Sequence, residues 1–141
     1  MIPMRYGRIL GLDFGAKNVG LAASDEMGCT VRPLPSIPNR GRRDLLIRIK
    51  AIVREQAVDS IVIGLPLNMD GTAGQAVERV RRFAGFLVRE LGLPLYEADE
   101  RLSTVEATGI WREMKARQQD KYRSVDSLAA ALILERFLRE A

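Results

Sequence analysis

Four carboxylates stand where chemistry could be done. Asp13 ends an apolar run (ILGLD), Asp99 and Glu100 end another (LYEADE), and Asp126 opens the last helical pattern (VDSLAAALIL). The chain has no histidine and a single cysteine, Cys29. Those two absences exclude histidine acid–base and triad chemistry, histidine metal sites, cysteine-cluster zinc and an intrachain disulfide. Carboxylates gathered without nitrogen or sulfur donors are a set of hard oxygens, which suits Mg²⁺ or Mn²⁺. Two such ions can hold the attacking and leaving oxygens of a phosphodiester during in-line hydrolysis, so the missing histidine is no obstacle.

Each acid also has a purely structural role open to it. Asp13 could initiate the turn at Phe14-Gly15. Asp126 could serve the first helical turn, with Ser124 as N-cap. Acids such as Asp99 or Glu100 are common at strand ends. The combination carries more than any member. At about 100° per residue, Asp126 projects beside Ala130, Ile133 and Phe137, while Glu135, Arg136, Arg139 and Glu140 fall outside that arc. It is the one ionised group on the face that should dock, and a buried carboxylate needs a base, donors or a metal. The run Ala129-Ala130-Ala131 thins the helix for a close approach. Alternation sends Asp99 and Glu100 to opposite faces, so one of them can look into a shared site.

The hydrophobic pattern supplies the elements that must position these acids. Residues 8–13 read as a buried strand, 18–25 as its hairpin partner and 28–37 as a third strand. Pro33 and Pro35 cannot donate to a ladder, which puts the third strand at an edge. Cys29 reads there as a buried small hydrophobe. Asp44 is the expected N-cap of a helix through about Gln56, with Leu45, Ile49, Ile52 and Val53 on one face. The run DSIVIGLPL suits a strand covered on both sides. A polar turn, NMDGTAG, precedes a helix from about Thr72 to Leu91, which Gly92 and Pro94 end before another strand. Residues 101–123 begin helical and then become polar and charged, as expected of a tract that is mobile or ordered only on binding. A last helix runs from about Ser124 to Glu140.

The order is therefore β-β-β-α-β-α-β-α. It implies an α/β chain: a mixed five-stranded sheet with helices on both faces and right-handed crossovers. That element order is similar to the ribonuclease H-like fold. There the first strand lies beside the fourth and the closing helix crosses both, so acids from distant sequence meet at one end of the sheet. At 141 residues the chain has the size of one domain. A net charge of +4 is compatible with a polyanionic partner without requiring one. No apolar stretch approaches bilayer length or makes a signal h-region, and one free thiol suits a reducing compartment, so no membrane partner and a cytoplasmic location are expected.

Four blocks in order, GLDFGAKNVGLAASD, IVIGLPLNMDGTAG, DERLSTVEA and VDSLAAALIL, together resemble the YqgF family, also called RuvX. The resemblance spans nearly the whole chain. It implies a metal-dependent, ribonuclease H-like endonuclease related to RuvC-type resolvases, processing the 5′ end of precursor 16S ribosomal RNA in the bacterial cytoplasm. Carried over, the family's acidic catalytic and metal-holding site falls on Asp13, on the acid pair of DER (Glu100 preferred over Asp99) and on Asp126. Two departures stand out: Asn18 replaces a usual arginine, and residues 115–123 are less basic than in many relatives.

Other residues fit around that site. Lys17, in the turn after Asp13, could take a phosphate or be a solvated turn lysine. Asn68, with Gly64, Gly71 and Thr72, could present amides to an anion, or the loop could simply cap the next helix. Arg101, Ser103 and Thr104 could position substrate, or Ser103 could be a cap. Arg40, Arg42, Arg43, Arg81, Arg82, Lys115, Arg117, Lys121 and Arg123 are candidate backbone contacts. Trp111 and Tyr122 are candidates for stacking on bases or for core packing. Hydrolysis of structured RNA is the first reading and branched DNA its rival, since two-metal cleavage addresses the phosphate and not the sugar. A non-catalytic nucleic-acid-binding module is a third. Phosphate transfer from ATP ranks below these, because kinases of similar topology use two such domains. Monomer or homodimer stays open, as no dimer face is marked.

Overall fold

The computed structural model describes residues 6–101 and 103–140; the side chains of Ser103 and Thr104 lie outside the described residues. Strand β1 (Ile9–Phe14) pairs antiparallel with β2 (Asn18–Ser24), and β2 pairs antiparallel with β3 (Val31–Pro38). Helix α1 (Arg42–Glu55) leads to β4 (Ser60–Leu65), which lies parallel to β1, and α2 (Gln75–Leu91) leads to β5 (Leu95–Asp99), parallel to β4. Helices α3 (Ser103–Glu113), α4 (Ala116–Tyr122) and α5 (Val125–Glu140) complete the chain. The sheet order is β3-β2-β1-β4-β5, which makes β3 an edge strand, where its prolines cost no ladder bond.

Strand alternation divides the core. Leu10 and Leu12 face the layer of α1 and α2, packing with Leu45, Ile49, Val80, Phe83 and Leu87. Ile9, Ala22 and Val62 face α5, packing with Ala130, Ala131, Ile133 and Leu134. A methyl added at Gly11 would stand 3.1 Å from Cβ of Leu134, so at this point of β1 helix α5 lies close to the backbone. Helix α5 is alanine-rich where it docks, and the three successive alanines 129–131 are buried.

Four local expectations fail, each for an identifiable reason. Cys29 is exposed, not a buried strand residue. Oδ1 of Asp25 accepts the Cys29 and Thr30 N–H groups, which holds 25–30 as a turn and delays β3 to Val31. Asp44 is not the cap of α1; Gly41, at φ 105°, precedes the first turn, and Asp44 pairs with Arg48 at 3.0 Å. Helix α2 starts at Gln75 rather than Thr72 because Asp70 takes the Thr72 N–H and hydroxyl while the Asn68 amide donates to Thr72 Oγ1. Such side-chain bonds compete with helix formation. The 103–122 tract begins helical as expected, with α3, but its polar second half is helical too, as α4. Ala107 of α3 packs with Leu128 and Ala129 of α5, and Trp111, Met114 and Tyr122 close over that cluster.

Candidate active site

Asp13 lies in a row of small residues. Across the sheet it pairs with Gly20 of β2, and the β1–β4 register, continued one step beyond Leu12–Ile63, brings it opposite Gly64 of β4. Gly64 in turn pairs with Ala98 of β5. Asp13 is thus the only member of the row with a reach beyond a methyl group. Glu100, two residues after Ala98 and so on the same face, comes back over Gly64. Its Oε2 would be 2.8 Å from a Cβ at Gly64. At the other end of the row, a Cβ at Gly20 would collide with the Asp126 carbonyl oxygen and stand 3.1 Å from Asp126 Cβ. The two glycines let Glu100 and the first turn of α5 press onto the sheet on either side of Asp13.

The result is three acids raised together. Glu100 is 8% exposed. Burial, the Asp13 charge, a shared hydrogen bond with the Asp13 carboxyl and the Asp99 charge push its pKa up to about 9. Burial also raises Asp13, reinforced by the Asp126 charge and opposed by the bond from Glu100. Asp126 is raised by burial. Among the described residues no donor reaches Oε2 of Glu100. The group facing this carboxyl is another carboxyl, so a proton or a cation must sit between them. The backbone N–H of Glu100 is satisfied separately, by the Leu65 carbonyl at 3.0 Å.

Asp99 turns the other way. Arg101 donates to it from its backbone N–H at 2.8 Å and from Nε at 2.8 Å. Burial pushes the Asp99 carboxyl up, but these bonds and the Arg101 and Arg136 charges outweigh it and hold it below the usual carboxylate range. Arg101 also reaches the Met69 carbonyl at 3.2 Å, and Arg136 approaches the Asp99 carbonyl at 3.5 Å. Met69, Asp99, Arg101 and Arg136 enclose a hollow of about 220 Å³ next to Glu100 in sequence. Arg136 was not among the sequence candidates, because its helical angle lies outside the docking arc; its length brings it back to the strand end.

The remaining candidates are distributed around this centre. Lys17 is exposed in the β1–β2 turn, and its carbonyl accepts the Asn39 N–H at 2.8 Å. Asn68 is engaged with Thr72, so its loop bonds largely to itself. Arg81 is paired with Glu97 at 2.9 Å. The Ser103 and Thr104 positions fall where side chains are outside the described residues. Gly20 and Gly64 carry more of the geometry than sequence reasoning assigned them. Their signal is an isolated glycine within an otherwise apolar strand, which marks close approach.

A family profile described as "RuvX: Holliday junction resolvase" matches residues 7–140. The chain belongs to the RuvX family. Among its relatives, a Clostridioides difficile (strain 630) protein named "Putative pre-16S rRNA nuclease" is 41% identical over 135 residues, covering 96% of each chain. A protein of the same name from Koribacter versatilis (strain Ellin345) is 38% identical over 133 residues, 94% of this chain and 87% of the other. Among solved structures, this RuvX chain resembles Thermus thermophilus RuvC in complex with a Holliday junction substrate, with a TM-score of 0.56 and 14% identity over 94% of both chains. The fowlpox virus Holliday junction resolvase aligns with a TM-score of 0.57 and 11% identity, covering 95% of this chain and 99% of that one. At those identities the likeness is one of fold. RuvX here has the α/β, ribonuclease H-like architecture, with a mixed sheet and helices on both faces.

Proposed function

We propose that this RuvX protein is a divalent-metal-dependent endonuclease that hydrolyses phosphodiester bonds in precursor 16S ribosomal RNA. The observation that carries the reading is the Asp13–Glu100 pair: two carboxyls held face to face over Gly64, with an unpartnered Glu100 oxygen and Asp126 acting on Asp13. A pair so placed is costly unless a positive charge joins it. The donor set is all oxygen, which fits Mg²⁺ or Mn²⁺. As they stand, no three acids among the described residues are gathered tightly enough to enclose an ion. Asp13, Glu100 and Asp126 are the residues that would hold such ions. Ions held there would supply Lewis-acid stabilisation of charge on the phosphoryl oxygens.

The chain's own residues do the rest. Gly20 and Gly64 set how closely the acids stand. Arg101, oriented by the Asp99 carboxylate, and Arg136, against the Asp99 carbonyl, offer guanidinium groups at the neighbouring strand end, where a substrate phosphate can be held by charge-assisted bonds. Lys17 offers a further cation on the hairpin side. The names of the relatives support RNA as the substrate over a branched DNA junction, and the fold is shared with enzymes for the latter.

Cleavage assays on precursor 16S RNA and on a four-way DNA junction, with Mg²⁺ or Mn²⁺, test the reading. Asp13→Asn, Glu100→Gln and Asp126→Asn should each lower the rate at least about 100-fold, equivalent to about 2.7 kcal/mol of transition-state stabilisation, with the fold retained. Undiminished cleavage in EDTA would end the metal mechanism.

A further inference from the structure

The face opposite α5 carries a second feature that the acid site does not use. Arg42, Arg43, Leu46 and Ile47 of α1 and Phe86 and Arg89 of α2 line a groove of about 520 Å³. Its lining is part apolar, from buried Phe86 to Ile47, which is 69% exposed, and part basic. The Arg42 guanidinium lies 4.9 Å over the Phe86 ring, a cation–π contact. Along α2 the residues Arg79, Arg82, Phe86 and Arg89 recur at helical intervals, so they continue the groove as one stripe. Among the described residues, none of Arg40, Arg42, Arg43, Arg79, Arg82 and Arg89 has a carboxylate at ion-pair distance, whereas Arg48, Arg81 and Arg101 do. Three guanidinium groups without acidic partners, those of Arg42, Arg43 and Arg89, line the groove and make it positive, with Glu90 the one acid in the lining.

A row of packed aromatic rings links the groove to the acid end of the sheet. Phe14, next to Asp13, stacks on Phe83 with ring centroids 4.5 Å apart, and Phe83 stands 6.5 Å from Phe86 beneath Arg42. Asn39, which precedes Arg40, donates from its backbone to the Lys17 carbonyl and from its side chain to the Gly15 carbonyl at 2.9 Å. The start of α1 is therefore tied to the loop that follows Asp13.

We infer that the α1–α2 groove is a docking surface for the phosphate backbone of the nucleic acid, at a distance from the bond that is cut. This rests on the reading of the chain as a nucleic-acid enzyme. A strand leaving the acids over the sheet end passes the hairpin loop and meets the arginines. Their charge is sequence-blind, so the surface anchors the flank of the substrate without reading it. Charge decides the occupant: a second copy of this chain would have to bring like-charged arginines together in an isologous contact.

Anisotropy of a labelled RNA hairpin with single-stranded flanks, in EDTA and across a salt series, reads the surface apart from cleavage. The pair Arg43→Glu with Arg89→Glu should weaken binding about tenfold or more and lower the salt slope by about 0.7–0.9 for each phosphate no longer neutralised. A charge-matched pair elsewhere, Arg54→Glu with Arg139→Glu, should change the affinity less than about twofold if position rather than net charge matters. The neutral pair Arg43→Gln with Arg89→Gln, gentler on the fold, should fall between. Cleavage by the groove variants should show a raised KM with kcat unchanged. Unaltered affinity in well-folded groove variants overturns the proposal, as does equal weakening by the control pair. Dissociation of a dimer on charge reversal, with RNA affinity unchanged, assigns the face to a second copy and also overturns it. Groove-dependent binding by a parent protein that cleaves nothing upholds the docking surface and removes the nuclease reading instead.

Discussion

Glu100 and Asp13 face each other across β4, the strand that separates theirs, and they can do so because Gly64 leaves the intervening space open. A Cβ on Gly64 would stand 2.8 Å from Oε2 of Glu100 and 2.8 Å from Cδ1 of Ile133. Gly20 does the same for Asp126 on the other flank, where the obstacle to any side chain is the Asp126 backbone carbonyl. The acid cluster is thus built from absent side chains as much as from present ones.

Gly20→Ala should consequently be the more damaging of the two alanine substitutions. Backbone cannot rotate away as a flexible side chain can, so α5 must shift bodily. A loss of about 1–3 kcal/mol is expected, the usual range for overpacking, together with loss of cleavage because Asp126 moves with the helix. Gly64→Ala should disturb Glu100 and cleavage with a smaller stability loss. Thermal melts and rate measurements on both variants check the order.

Stability should fall as pH rises. The Glu100 carboxyl has an ordinary value of 4.5 and is pushed up to about 9 in the folded chain, so between those limits the native state holds a proton that the unfolded state has released. Unfolding then releases that proton, and raising the pH favours it. The associated stability is fully present below about pH 4.5 and gone above about pH 9; raised Asp13 and Asp126 add in the same direction. Glu100→Gln removes the titration. Metal-free melts should find this variant more stable than the parent at pH 8 and the gap closing toward pH 5.

Divalent cations should reverse that penalty. A cation at one hundred times its Kd adds about 2.7 kcal/mol, a rise in Tm on the order of 5–10 °C for a chain of this length. At pH 8, Mn²⁺ should raise the Tm of the parent protein but hardly that of Asp13→Asn, and EDTA should undo the effect. An equal rise in both proteins would place the cation elsewhere.

Asp99→Asn separates the two neighbouring acids. Asp99 is paired with Arg101 at 2.8 Å in a partly exposed setting, so the substitution should cost only about 0.2–1 kcal/mol. Cleavage should persist with a raised KM, since the freed Arg101 loses its orientation, whereas Glu100→Gln should remove kcat. Parallel kinetics on the two variants measure the split.

The sequence by itself determined the chemical repertoire and the order of elements. With no histidine and one cysteine, only oxygen ligands remained for a metal, and period-two and helical patterns marked all five strands, the two helices after β3 and β4, and the closing helix. These are local properties, written in composition and spacing. The helix boundaries at Asp44 and Thr72, the exposure of Cys29 and the folding of residues 103–122 depended on hydrogen bonds and packing partners that spacing does not record. Which acid of the Asp99–Glu100 pair meets Asp13 was likewise open until β5 took its register against β4 and Arg101 folded back onto Asp99. Only the tertiary structure could bring a carboxylate from each side of β4 together over a glycine, because that proximity joins residues far apart in the chain.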